Sequence, residues 1–270
     1  MIDEKQLEID DLQVHYKIVN AGAAAATVIF IHGFPFDSSI WDKQMDALPE
    51  DVCGIAYDIR GFGKSLGGHS YCSIDLFASD LITLIQRLQL SRVILCGVSM
   101  GGYIALRAAQ RTFDALSGLI LCDTNAEADS NAGKLKRFAS IEQIMGGGKA
   151  LFAENFVKGL FSRQTNEHKP LLVKQIVDII AATSNDTICA AQLALASRTE
   201  TISALPAITV PALIVRGEED QMMSIEQAEQ LDSALNSGGI IEIADAGHLP
   251  NAENPEAFNE AMNTFLKRIN

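Results

Sequence analysis

Residues 92–111 read Arg-Val-Ile-Leu-Cys-Gly-Val-Ser-Met-Gly-Gly-Tyr-Ile-Ala-Leu-Arg-Ala-Ala-Gln-Arg. Val93 to Cys96 is a short apolar run of the kind that forms a buried strand. Beyond the glycines the pattern turns helical, with Tyr103, Leu106 and Ala109 or Gln110 about a turn apart and alanines filling the gaps. The chain must therefore reverse sharply within Gly97-Val98-Ser99-Met100-Gly101. Gly97 and Gly101 allow close backbone approach there, and Gly102 removes bulk behind the turn. A serine at that apex is held in a strained conformation with its hydroxyl exposed. It also lies at a helix N-terminus, where free N–H groups favour developing negative charge. Ser99 is thus the candidate nucleophile.

Working outward, apolar strands alternate with amphipathic helices. Gln6 to Ile9 and Gln13 to Val19 read as an edge hairpin around Asp10-Asp11. Thr27 to Ile31, Val52 to Tyr57 and Leu116 to Cys122 read as buried strands, and the sheet resumes at Ala212 to Arg216 and Ile240 to Ala244. Ser38 or Ser39 is expected to cap a helix reaching about Leu48. Ser73 and Ser224 are expected to cap two more, and Pro255 to open the last. This alternation predicts an α/β fold with a mostly parallel, doubly wound sheet covered on both faces. From about Ala126 to Glu200 the signals are only helical: Lys134 to Met145, Lys149 to Phe161, Pro170 to Thr183 and Asp186 to Arg198. Gly146-Gly147-Gly148 and the polar stretch Ser162 to Lys169 act as separators. The expected organisation is a core of 1–124 and 200–270, with 125–199 as a helical lid inserted after the sixth strand.

The 270 residues, 48% hydrophobic and 20% charged, suit one large globular domain. A net charge of −13 argues against nucleic acid and anionic membranes as partners. A small-molecule substrate is expected instead; the oligomeric state is left open. The five cysteines form no Cys-x-x-Cys pair, and the histidines show no metal-ligand spacing, so neither metal nor cofactor is expected. No apolar run is long enough to cross a bilayer, and the acidic start of the chain does not resemble a signal peptide. A reducing, cytoplasmic setting is the expectation.

A serine hydroxyl needs a base to take its proton and a group to orient that base. Sites in parallel sheets gather at the carboxyl ends of strands. Of the five histidines, His15 lies in the edge hairpin, and His69 and His168 lie in polar stretches. His32 follows a strand, but it adjoins a Gly-Phe-Pro turn and reads as structural. His248, in Asp245-Ala246-Gly247-His248 after the last strand, is the candidate base. Asp220, in Arg216-Gly217-Glu218-Glu219-Asp220, is the candidate acid, with Glu218, Glu219 and Asp123 as competitors. Two backbone N–H groups should hold an oxyanion: Met100, which follows the serine, and Phe34, the first residue beyond His32-Gly33.

Taken together, His32-Gly33-Phe34-Pro35 with Trp41, Asp58 to Ser65, Gly97 to Gly102, Arg216 to Asp220 and Asp245 to His248 resemble the α/β-hydrolase superfamily over about Lys5 to Ile269. In particular the chain is similar to the branch with 3-oxoadipate enol-lactonases, small-molecule esterases and cofactor-free haloperoxidase-like hydrolases. The resemblance implies a Ser99-His248-Asp220 triad in the chain order of this fold, with Asp58 to Ser65 as a structural loop beneath the site. It departs from the family's usual Asp-x-x-x-Pro segment of the acid loop, where Met222-Met223-Ser224 replaces the common Pro.

The expected reaction is hydrolysis of a small carboxylic ester or lactone through an acyl-enzyme. C–C bond hydrolysis of a β-diketone type, or perhydrolysis, is the alternative on the same triad, and a non-catalytic ligand-binding protein is the alternative from another class. Phe138, Ile141, Ile144, Met145, Phe152 and Phe156 form an apolar stripe that packs the lid onto the core or lines part of a pocket. Lys134, Lys136 and Arg137 either form a solvated face or receive a substrate carboxylate.

Overall fold

The expected N-terminal hairpin is present: β1 (Asp3–Ile9) and β2 (Leu12–Val19) pair antiparallel across Asp10-Asp11. Of this pair only β1 lies at a sheet edge, because β2 also pairs antiparallel with β4. The strands β3 (Ala26–Ile31), β4 (Val52–Tyr57), β6 (Val93–Val98), β7 (Leu116–Cys122), β8 (Ala212–Gly217) and β9 (Ile240–Ile243) run parallel. A two-residue strand β5 (Leu66–Gly67), not anticipated from sequence, adds to β2. Counting it, the helical insertion follows the seventh strand. The computed structural model describes residues 1–22, 26–67, 71–111 and 114–269.

Among these residues the sheet runs β1-β2-β4-β3-β6-β7-β8-β9. All residues of β3, β4 and β6 are buried. Strands covered on both faces need no polar alternation, which is why they read as unbroken apolar runs.

The helices of the core follow their caps and stripes. A 3-10 turn, Ser38–Trp41, is capped by the Asp37 side chain rather than by Ser38 or Ser39, and leads into α1 (Asp42–Asp46). Asp37 wins because its carboxylate takes the Ser39 N–H, two residues on, at the free end of the turn. Ser73 caps α2 (Ile74–Arg87), which buries Ile74, Phe77, Ala78, Leu81, Leu84 and Ile85. Next comes α3 (Met100–Gln110), directly after the glycine-flanked turn.

The insertion carries α4 (Asn131–Gln143), α5 (Lys149–Lys158), α6 (Arg163–His168), α7 (Pro170–Ala182) and α8 (Asn185–Ser197). The polar stretch expected only to separate helices thus forms α6, whose free N-terminal N–H group at Thr165 is taken by Ser162 Oγ at 3.1 Å. Closing the chain are α9 (Ile225–Leu235), with a full capping box at Ser224, then α10 (Pro250–Glu253) and α11 (Pro255–Ile269). Trp41 is buried between Phe30 of β3, 5.2 Å away by ring centroids, and Phe258 of α11, 6.0 Å away. Among the described residues no single helix is long and apolar enough to cross a membrane.

Candidate active site

Ser99 occupies the turn between β6 and α3 with φ 53° and ψ −116°, a region that L-residues rarely adopt. The surroundings enforce it. A β-carbon on Gly101 would stand 2.1 Å from the Ile31 carbonyl oxygen, and one on Gly97 would stand 2.4 Å from Gly101. No side chain fits at either position, so the helix start can lie against the ends of β3 and β6. The strained peptide is pinned from both sides. Ser99 N–H donates to the Cys122 carbonyl at 3.0 Å, and Thr124 Oγ1 donates to the Ser99 carbonyl at 2.8 Å. Ser99 itself is half-buried, which leaves its hydroxyl reachable.

The loop after β3 lies against the same serine. A β-carbon on Gly33 would be 3.3 Å from Ser99 Cβ, and the following Phe34–Pro35 peptide is cis. Phe34 is buried under two rings of the insertion, edge-on to Phe156 at 5.9 Å and Phe152 at 6.4 Å between centroids. Met100 begins α3, so its N–H belongs to the first turn, whose donors have no partner inside the helix.

His248 and Asp220 are both buried and joined: His248 Nδ1–H donates to Asp220 Oδ2 at 2.9 Å. The other Asp220 oxygen accepts from the Met222 and Met223 N–H groups at 2.7 and 3.3 Å. The loop thus closes around its carboxylate without the proline usual in the resembled family. Burial alone would raise the Asp220 carboxyl. The facing His248 charge and hydrogen bonds from His248, Asp123 and Met222 outweigh it and bring it down to about 2. His248 Nε2 is buried and makes no hydrogen bond, so the imidazole and the Ser99 hydroxyl are not joined in this structure. Hydrogen bonds between a nucleophile and its base are commonly long or misaligned in structures without substrate.

Topology brings the parts to one rim. Ser99, Asp123, Asp220 and His248 follow β6, β7, β8 and β9, which are consecutive neighbours in the sheet. Asp123, expected as a competitor of Asp220, stands beside it: side-chain atoms of Asp123, Asp220 and His248 lie within 4.8 Å of one another. By distance alone these three could ligate a cation, a grouping their linear spacing does not reveal. The Nδ1–H···Oδ2 bond already uses two of the atoms concerned.

The remaining candidates separate cleanly. His32 is structural, as expected: Nδ1–H donates to the Gly33 carbonyl at 2.8 Å and Nε2 accepts the Ile59 N–H at 3.0 Å. Burial pushes its imidazole pKa down. His15 is buried against Asp58, with Nδ1 2.8 Å from Oδ2, and His168 is exposed. His69 lies outside the described residues. Asp58 also accepts the Ser38 and Lys64 N–H groups at 2.8 and 2.9 Å, so the loop from Asp58 to Ser65 is tied to the end of the sheet. Glu219 accepts the Arg163 N–H at 2.9 Å and serves the insertion.

In the apolar stripe, Ile144 and Phe152 are buried, whereas Phe138 and Met145 point to solvent. The triple-glycine π turn 144–148 re-aims the chain there, so one helical period does not carry through. Arg137 is committed to Asp129 and, at 3.0 Å, to Gln192, which removes it as a receptor for a substrate carboxylate. Glu253 was missed. Fully buried, its carboxylate accepts N–H groups from Gly247 and Ser162 at 2.8 Å and from Leu249 at 3.3 Å. Only its place five residues after His248 could have drawn attention to it.

A model of the alpha/beta hydrolase family matches residues 28–261. The 3-oxoadipate enol-lactonase 2 of Acinetobacter baylyi is 25% identical over 265 residues, spanning 98% of this chain and 97% of that protein. A thermophilic esterase from Thermogutta terrifontis superposes with a TM-score of 0.92 at 30% identity over 99% of each chain. The enol-lactonase from Burkholderia xenovorans LB400 has a TM-score of 0.88 at 24% identity, covering 97% of this chain and 100% of its own, and shares the fold. Matched by that model over most of its length, and with the glycine-flanked serine turn at the centre of its parallel sheet, the chain belongs to the alpha/beta hydrolase family.

Proposed function

We propose that this enzyme hydrolyses a small carboxylic ester or lactone through Ser99, His248 and Asp220. Ser99 Oγ attacks the carbonyl while His248 Nε2 takes its proton. The oxyanion that forms accepts from the Phe34 and Met100 N–H groups. His248 then returns the proton to the departing alkoxide, and water, activated by the same imidazole, releases the acid from Ser99. Asp220 stays ionised and keeps the proton on Nδ1, which leaves Nε2 basic.

The observation that carries this reading is the His248 imidazole. It is buried, bound through Nδ1 to a carboxylate with depressed pKa, and its Nε2 is unpaired at the rim where a strained serine stands. A buried nitrogen without a partner is costly in a purely structural histidine. The ester and lactone class is supported by the relatives, an esterase and an enol-lactonase. Residues 125–199 are proposed as the lid that shapes the acyl or alcohol pocket, with Phe152 and Phe156 over the Phe34 loop.

A fluorophosphonate probe and a panel of esters, lactones, thioesters and 1,3-diketones test the reading together. We expect labelling at Ser99 and turnover of esters or lactones, with Ser99→Ala abolishing both. Wild-type turnover by Ser99→Ala would overturn it.

A further inference from the structure

Asp123 is a buried carboxyl group beside Asp220 and His248 that the proposed mechanism does not use. It is 3% exposed and adopts φ 41°, a left-handed conformation that places its side chain towards the acid loop of β8. One oxygen, Oδ1, accepts the Gly217 N–H at 3.0 Å, and Oδ2 accepts from the Cys122 thiol at 3.3 Å. A carboxyl oxygen of Asp123 lies within 4.8 Å of one of Asp220 and of a ring nitrogen of His248. Two buried carboxyl groups this close can hydrogen-bond to each other only if one carries a proton. Buried like charges at this separation do not both ionise, because neither is screened. The single proton settles on Asp123. Asp220 has the His248 N–H and two backbone N–H groups holding its charge, whereas Asp123 has one backbone donor and a weak thiol donor.

Resting on the hydrolase reading above, we infer that Asp123 is a positioning residue: a neutral carboxylic acid that donates its proton to Asp220 and fixes that carboxylate against His248 Nδ1. A chain Asp123–H···Asp220···H–Nδ1 results, with one negative charge spread over two carboxyl groups. The donated hydrogen bond makes Asp220 a weaker base, so the Nδ1 proton stays on the imidazole while Nε2 works. Two titratable groups face Asp123 from neighbouring loops, Asp220 and His248. The thiols of Cys122 and Cys96 are kept neutral, their pKa values raised by burial. Arg216, the cation on the neighbouring strand β8, gives its guanidinium to Glu242 and to the Glu218 and Asp220 carbonyls.

Carbon-13 NMR of protein labelled at the aspartate carboxyls reads the proton directly, with the two signals assigned from Asp123→Asn and Asp220→Asn. We expect the Asp123 carboxyl to remain protonated at pH 7 while Asp220 is ionised; both ionised at pH 7 overturns the inference. Kinetics supply the positioning half. Asp123→Ala should lower kcat on the order of tenfold, since a hydrogen bond to a charged group is lost, with little change in KM. Asp123→Asn, which keeps a donor for Asp220 and an acceptor for Gly217, should restore most of that loss with the acid limb of the pH–rate profile at its wild-type position. Were Asp123 charged, Asp123→Asn would remove a negative charge beside His248 and move that limb to lower pH by about one unit or more. An Asp123→Ala enzyme with wild-type kcat would also count against it. The carboxyl spectrum of the wild-type protein stands even if Ser99 fails to react with a fluorophosphonate, so failure of the hydrolase reading and failure of this one are separable.

Discussion

The backbone N–H of His248 donates to the carbonyl of Leu160, 2.8 Å away, so the loop carrying the proposed base is bonded directly to the turn in the middle of the helical insertion. The contact leaves no slack: a β-carbon on Gly247 would stand 2.7 Å from the Leu160 oxygen and from the Ser162 nitrogen. Ser162 Oγ adds a bond to the Asp245 carbonyl at 2.9 Å. Any opening of the insertion that separated this turn from the core would disorganise His248 as well. If the insertion acts as the proposed lid, residues 160–162 are the part of it that must stay in place.

Glu253 clamps this junction from beneath, holding N–H groups on both sides of His248 and the one at Ser162. Glu253→Gln turns an amide N–H towards backbone donors. We expect a loss of about 3 kcal/mol in stability, since buried donors are left without acceptors, and a fall in kcat larger than any change in KM. Urea denaturation and steady-state kinetics of the variant check both. Burial raises the pKa of this carboxyl despite those bonds. Its contribution to stability therefore diminishes as pH rises from its unfolded value towards its folded one.

Asp220→Asn leaves the shape of the acid loop nearly unchanged but presents either an amide donor or a neutral acceptor to His248. The imidazole then loses both its fixed tautomer and the charge that stabilises its protonated form. A fall in kcat of about three to four orders of magnitude is expected, smaller than that of Ser99→Ala, with the double variant little worse than Ser99→Ala alone. Independent, multiplying effects in the double variant would show that the residues do not act as a unit.

Asp58 has a lowered pKa: burial opposes its charge, and hydrogen bonds from the Lys64 and Ser38 N–H groups overcome that. A carboxylate with depressed pKa stabilises the fold above its unfolded value of 3.8, and that stabilisation is lost as pH falls through the folded value. Asp58→Asn should cost about 2–4 kcal/mol at pH 7 by removing the charge from three donors. The gap between variant and wild type should close progressively below about pH 4. Chemical denaturation at a series of pH values measures it; a gap independent of pH would exclude the charge as the cause.

Gly101→Ala is the severest single methyl the elbow can receive, because the β-carbon would sit 2.1 Å from the Ile31 oxygen. Backbone cannot yield as a side-chain tip can. We expect a cost of more than about 3 kcal/mol, or no soluble protein, by thermal unfolding or expression yield.

Much of this protein was legible in one dimension because its strands are buried on both faces. A run such as Val93 to Cys96 or Thr27 to Ile31 has no other stable use, and the glycines at 97 and 101 leave only one way to leave the strand. The alternation of strands and helices then put Ser99, Asp220 and His248 at one end of a parallel sheet by topology alone. What linear order could not carry was everything set by contact between distant segments. The cap at Asp37 and the helix within 163–168 depended on which polar group stood nearest a free N–H. The commitment of Arg137 depended on Asp129 turning to meet it, and the role of Glu253 on a turn some ninety residues earlier folding over it. Asp123 shows the division most sharply. Its position past a strand end made it a rival of Asp220, but strands β7 and β8 are adjacent in the sheet, and adjacency placed the two carboxyl groups side by side. Which of two acids holds a proton is decided by the donors around each, and those are assembled only when the chain has folded.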